Sequence, residues 1–316
     1  MLVTPKRLDP KLDVVFKILF AAPENRDLLC SLLTAVLMPS SPIASVKVLN
    51  PELPKELTTD KGAVLDLHVE LADGRLADVE MQAQPRQSVR GRALYYWARM
   101  YGAQLQPGMP YNNLKACVAI FILGHSELPS NRFHSTFEVL EVHGGERLSD
   151  HLQVHFVELP KLPARGSGPS DEALLEDWGR FFSAQSDEEL EELAMSNPVI
   201  ARAKGALDFL SAQPDVQELA RQRELAQHNF VSAIHEAEAR GKAEGRAEGR
   251  AEGKAEGRAE GKAEGRAETL LLMLDARGLT VSEEQRKRIM SCRDAAQLEQ
   301  WIRRALTVLS VDELLG

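Results

Sequence analysis

The stretch Val64–Gln84, VLDLHVELADGRLADVEMQAQ, decides the fold. Two runs of alternating polarity flank Ala72-Asp73-Gly74 and read as a β-hairpin. A two-residue Asp-Gly loop would set polar residues of one strand on the face that carries apolar residues of the other. A three-residue loop, with a type I turn and Gly74 in the left-handed region, pairs Leu71 with Arg75 instead. Leu65, Leu67, Val69 and Leu71 then share a face with Ala77, Val79 and Met81. Asp66, His68 and Glu70 share the other with Leu76, Asp78, Glu80 and Gln82. A one-residue slip would invert every side chain, so this register is strongly specified.

The register sets Asp66 directly across from Glu80, with Cβ atoms roughly 5 Å apart. Like charges at that spacing destabilise a sheet unless something positive lies between them. Two such carboxylates can hold a hard divalent cation such as Mg²⁺, which takes one or two carboxylates plus waters and substrate phosphate. Gln82 lies one step further along the same face. The competing reading is the solvated face of an antiparallel sheet, which is often this polar.

Asp66 followed by Glu80-Met81-Gln82 after a hairpin resembles the PD-(D/E)XK nuclease superfamily, and within it the Rpn-type recombination-promoting nucleases, or putative transposases. Four further stretches match that branch in order. They are Leu8-Asp9-Pro10-Lys11 with Asp13 and Val15-Phe16-Lys17; Arg92 through Tyr95-Tyr96; Gly108 to Tyr111; and His155-Phe156-Val157-Glu158-Leu159-Pro160-Lys161. The resemblance spans about residues 8 to 240. It implies a restriction-endonuclease-like α/β core, a mixed central sheet flanked by helices. It also implies a DNA endonuclease using Mg²⁺ or Mn²⁺, with catalytic Asp66, Glu80 and Gln82 and metal ligands Asp66, Glu80 and Asp13. One departure stands out: Gln82 occupies the position where the superfamily usually has a catalytic lysine. The Rpn-type branch accepts glutamine there, but the lysine's charge must come from elsewhere or be absent.

Composition agrees with a soluble chain of 316 residues. No apolar run is long enough to span a bilayer, and Met1–Arg7 lacks the apolar core of a signal peptide. Three distant cysteines, Cys30, Cys117 and Cys292, suggest neither a disulfide framework nor a zinc site. The expected compartment is the cytoplasm. The net charge of −9 argues against a globally electrostatic nucleic-acid binder. Met81 to Ser126 nevertheless contains no Asp or Glu, while carrying Arg86, Arg90, Arg92, Arg99, Lys115 and all four tyrosines. Such a segment suits a phosphate-backbone contact surface, and an ordinary amphipathic helix is the alternative. On helical spacing Leu94, Trp97, Tyr101 and Leu105 form the stripe expected to be buried, with Arg92, Tyr96 and Arg99 opposite. Arg92, Arg99 and Lys17 are the candidate nucleic-acid contacts.

The expected helix at the start has Asp9 as N-cap, Pro10 at its first position and an apolar stripe of Leu12, Val15, Phe16, Leu19 and Phe20. Asp13 and Lys17 lie off that stripe, and a surface ion pair is the alternative to a third metal ligand. Strands are expected at Ile43–Leu49, in the hairpin, and at Ala116–Leu123, Phe133–Val142 and Gln153–Leu159, with a helix from about Ser88 to Leu105. The expected organisation is a nuclease-like core at 1–165, a helical extension packing on it at 166–240, a repeat spacer at 241–268 and a small helical module at 269–316. In the spacer, seven Gly-Lys/Arg-Ala-Glu units form a marginal helix, because each glycine costs about 1 kcal/mol relative to alanine. Its small residues, and the apolar stripe of the tail, would allow the C-terminal helical region to form a homo-oligomer. A nuclease-fold binding or regulatory protein without strong catalysis is the alternative to the endonuclease. Strand-transfer transposition has little support, since no separate DNA-recognition module is visible.

Overall fold

The hairpin forms in the three-residue register. In the computed structural model, which describes residues 6–50, 66–85 and 88–316 and not the side chain of Asp66, strand β2 (Asp66–Leu71) pairs antiparallel with β3 (Leu76–Gln82). The Leu71 N–H donates to the Arg75 carbonyl at 2.9 Å, and Gly74 sits at φ +87°, which a side chain would strain. Asp66 faces Glu80, Leu67 faces Val79 and His68 faces Asp78 across the pair.

Strands β1 (Val46–Val48), β4 (Cys117–Leu123), β5 (His134–Phe137) and β6 (Leu152–Glu158) complete a six-stranded sheet in the order β1-β2-β3-β4-β6-β5. The β3–β4 and β4–β6 pairs are parallel and the others antiparallel. The result is the mixed central sheet expected of the nuclease core. β1 and β5 are shorter than the alternating runs that suggested them, as edge strands often are.

Each face of the sheet has its own cover. On one, Ala77, Val79, Met81, Val118, Ile120 and Ile122 meet α1 (Asp13–Ala21), α2 (Arg26–Leu37), α4 (Ala173–Ser183), α5 (Asp187–Ser196) and α6 (Pro198–Ser211) in a continuous apolar core. The rings of Phe16 and Phe20 pack at tilted angles against Phe182 and Trp178 from α4. Residues of the expected core and of the expected extension therefore share one interior. The other face carries Ala119, Phe121, Leu123, Val154 and Phe156 beneath α3 (Val89–Gly102).

Two helix readings change. α1 begins at Asp13, after a turn in which the Asp9 carboxylate accepts the Lys11 N–H at 2.9 Å and the Asp9 carbonyl accepts that of Leu12 at 3.0 Å. Asp9 thus closes the turn before the helix and is not its N-cap. α3 is rotated relative to its expected stripe. Val89 and Ala93 point at the sheet with Tyr96 and Trp97, and Leu94 stands 56% exposed. The slot over Phe121 and Phe156 takes the small Ala93 side chain.

The chain divides into two compact units, Met1–Phe230 and Val231–Gly316. The glycine repeat is helical, lying inside α7 (Pro214–Ala276). Its last alanines, Ala263 and Ala267, are buried with Leu270 and Leu274 against α8 (Glu283–Ser291), α9 (Ala295–Arg304) and α10 (Val311–Leu315). The C-terminal core thus starts inside the repeat, at Ala263. A capping box between Ser282 and Gln285 opens α8, while Asp294 caps α9 through the N–H groups of Ala296 and Gln297.

A buried histidine pair lies between β5 and β6, with His134 Nε2 and His155 Nδ1 2.9 Å apart. Burial, with His134 adding repulsion, pushes the His155 pKa down to about 3. An unfolded chain titrates this group near pH 6.5, so between those values the unfolded state binds the extra proton. The contribution is complete above about pH 6.5 and is lost as pH falls toward 3. Thermal melts between pH 7 and 4 should show a shallower fall in Tm for His155→Gln than for wild type, and parallel slopes would contradict this.

Candidate active site

The site is built on the polar column of β3 beneath the first turns of α3. Glu80 is 2% exposed and Gln82 is buried beside it. Period-two alternation puts both under α3, while Val79 and Met81 enter the opposite core. Arg92, one turn into α3, reaches down to this column. Its Nη2 donates to Glu80 Oε1 in a short charge-assisted contact, and its Nη1 donates to Gln82 Oε1 at 3.0 Å. The amide of Gln82 is fixed from its other end, donating Nε2 to the Gln84 carbonyl at 3.0 Å. Burial works to lower the Arg92 pKa, but the Glu80 carboxylate and Tyr96 outweigh it and hold it above the ordinary arginine value.

Backbone geometry keeps the strand ends tight here. The Gly124 N–H, just past β4, donates to the Gln82 carbonyl at 2.9 Å. A Cβ on Gly124 would lie 2.4 Å from the Ala83 carbonyl oxygen, so only glycine fits. Across β2, His68 Nδ1 stands 3.5 Å from the buried Asp78 carboxylate, continuing the polar column away from Glu80. Asp66 occupies the register position opposite Glu80, and its side chain lies outside the described residues.

A family model described as PD-(D/E)XK nuclease family transposase matches residues 10–237. The chain belongs to that family. No curated protein and no solved structure matches it. Membership in this PD-(D/E)XK family gives the chain a nuclease-like function, and the mixed sheet with its acidic hairpin is the matching architecture.

Other residues singled out in the sequence fall in different places. Asp13 is buried, and its carboxylate is taken by Arg223 of α7, through Nε at 3.0 and 3.1 Å and Nη2 at 2.6 Å. Gln227 adds a donor at 3.2 Å. Lys17 is 2% exposed, because α1 is enclosed by the sheet on one side and helices on the other. Asp13 and Lys17 are therefore not a surface ion pair, and Lys17 does not present its charge outward to a nucleic acid. Arg99 is exposed, its guanidinium 5.8 Å from the Tyr95 ring centre. Trp97 and Tyr101 are half-buried anchors: Trp97 Nε1 donates to the Cys117 carbonyl at 3.0 Å, and the Tyr101 hydroxyl pairs with His151 Nδ1 at 2.9 Å. In the His155–Lys161 stretch, buried Glu158 accepts from the N–H groups of Glu127 and Leu128 and from Lys161 Nζ, which clasps the loop after β4.

Sequence reasoning missed Arg223, although a signal existed. Val216, Ala220, Arg223 and Gln227 follow helical spacing, and the first three are buried, which places an arginine on an inward stripe. The direct grip of Arg92 on Glu80 was also missed, because the expected rotation of α3 turned that side chain away.

The donor set suits a hard divalent cation. Glu80 and Gln82 offer buried oxygen donors on one strand, with an aspartate at the opposing register position. Among the described residues, no group of three or more His, Cys, Asp and Glu side chains is placed to hold a metal.

Because the Asp13–Arg223 pair is buried at both ends, removing one partner strands the other charge. Asp13→Ala should lower unfolding stability by about 3–5 kcal/mol in chemical denaturation. A loss within about 0.5 kcal/mol, the range of an ordinary surface change, would contradict the pairing.

Proposed function

We propose that the chain is a divalent-metal-dependent endonuclease that hydrolyses phosphodiester bonds in DNA, its cuts serving DNA recombination. The observation that supports this most is the pairing of Asp66 with Glu80 across β2 and β3, beside Gln82 and beneath a cationic helix. The transposase description of the family supports the link to recombination.

Asp66 and Glu80 would hold Mg²⁺ or Mn²⁺. When bound, such an ion lowers the pKa of water and offsets charge on the scissile phosphate. Gln82 would orient the attacking water through its amide, which cannot act as a general base at neutral pH. Arg92 and the exposed Arg99 would contact the DNA backbone, Arg92 nearest the acidic pair. Asp13, held by Arg223, would shape the site by fixing α1 against α7.

One observation favours a second reading, a nuclease-fold binding protein without catalysis. The guanidinium of Arg92 already engages Glu80 and Gln82. The two readings separate in a plasmid assay. Purified protein with Mg²⁺ or Mn²⁺ should nick supercoiled DNA, and Asp66→Ala and Glu80→Gln should each slow nicking at least about a hundredfold, the scale of losing one preorganised electrostatic group. Nicking retained by Asp66→Ala would overturn the assignment, and a wild type inert at every metal concentration would leave the binding protein.

A further inference from the structure

We propose that Arg92 is a built-in competitor for the cation site: its guanidinium and a divalent ion hold Glu80 in alternation, and the released side chain becomes the phosphate contact. This rests on the metal-dependent reading above. Arg92 spans both donors that β3 offers, Nη2 on Glu80 Oε1 and Nη1 on Gln82 Oε1 at 3.0 Å. A hard cation would claim those same oxygen lone pairs.

Electrostatics makes the two occupants exclusive. A carboxylate as buried as Glu80 needs a counter-charge, and either cation supplies one. Both together would repel each other strongly in a poorly solvated site. Arg92 also has somewhere to go. Its side chain is partly open to solvent, and its guanidinium already lies 5.5 Å from the Tyr96 ring centre, a face that favours a cation.

Two consequences follow. Cation affinity is weakened by the factor that the Arg92–Glu80 pair contributes. A DNA phosphate that draws Arg92 away restores that affinity, so DNA and cation bind with positive coupling, equal in both directions. The substrate thereby completes its own cation site.

The test is calorimetric titration of Mn²⁺ into the full-length protein. Arg92→Ala should bind Mn²⁺ about tenfold more tightly than wild type, the worth of a charge-assisted pair. Duplex DNA carrying an uncleavable linkage should tighten Mn²⁺ binding to wild type by a larger factor than to Arg92→Ala, because phosphate can ligate the ion in both proteins and displaces Arg92 only in wild type. Glu80-dependent Mn²⁺ binding that is equal or weaker in Arg92→Ala would overturn the competition and leave the nuclease reading standing. No Glu80-dependent binding in either protein would overturn both. Should Arg92→Ala fail to fold, the guanidinium NMR signal of Arg92 in wild type, assigned by its loss in Arg92→Lys, should move on saturation with Mg²⁺. A signal that stays in place would overturn the proposal.

Discussion

A carboxylate sealed into the middle of a sheet must meet an opposite charge, and Glu80 imposes that constraint here. It sits on a strand with neighbours on both sides, under a helix, with almost no access to water. Desolvation at such a position costs several kcal/mol unless the charge is compensated. Among the described residues, Arg92 supplies such a charge, delivered from the first turns of α3. Val89 and Ala93, packed on the sheet on that face, seat α3 so that Arg92 lies over β3.

The two faces of the sheet divide the labour. Val79 and Met81 anchor β3 in a core built by α1, α2, α4, α5, α6 and the start of α7, so the strand that carries Glu80 and Gln82 is backed by packed helices. The opposite face stays polar at its carboxyl end, where parallel β3, β4 and β6 finish together. Glu158 and Lys161 clasp the loop beyond β4 there, holding the rim of the site in place. A functional group on a fixed strand needs less reorganisation than one on a loop. A second buried ion pair, Asp13 with Arg223, ties the leading helix to the start of α7.

Local pattern carried much of this into the sequence. Alternation across Asp66–Gln82 and the demand of Gly74 for a left-handed turn were enough to give the register and the Asp66–Glu80 pairing, because a period of two leaves a single arrangement with one apolar face. The rotation of α3 was harder to read. Leu94 falls on the expected apolar stripe, yet it is Val89 and Ala93 that are buried against Phe121 and Phe156, from strands further along the chain. Neither expectation for Asp13, a third metal ligand or a surface ion pair with Lys17, included Arg223, its partner 210 residues away. Helical periodicity reports which side chains resemble one another, not which distant segment covers them. In the repeat, helical spacing was legible, but the burial of Ala263 and Ala267 depends on helices that follow it.

The central claim is that Glu80, with an aspartate opposite in register, is where a divalent cation binds. Crystals soaked in Mn²⁺ and measured at a wavelength that reveals manganese by anomalous scattering test it directly. The account predicts a peak on the Glu80 carboxylate at the β2–β3 pair, with the Arg92 guanidinium moved off it. Manganese bound only elsewhere, with Arg92 still on Glu80 at saturation, would contradict it.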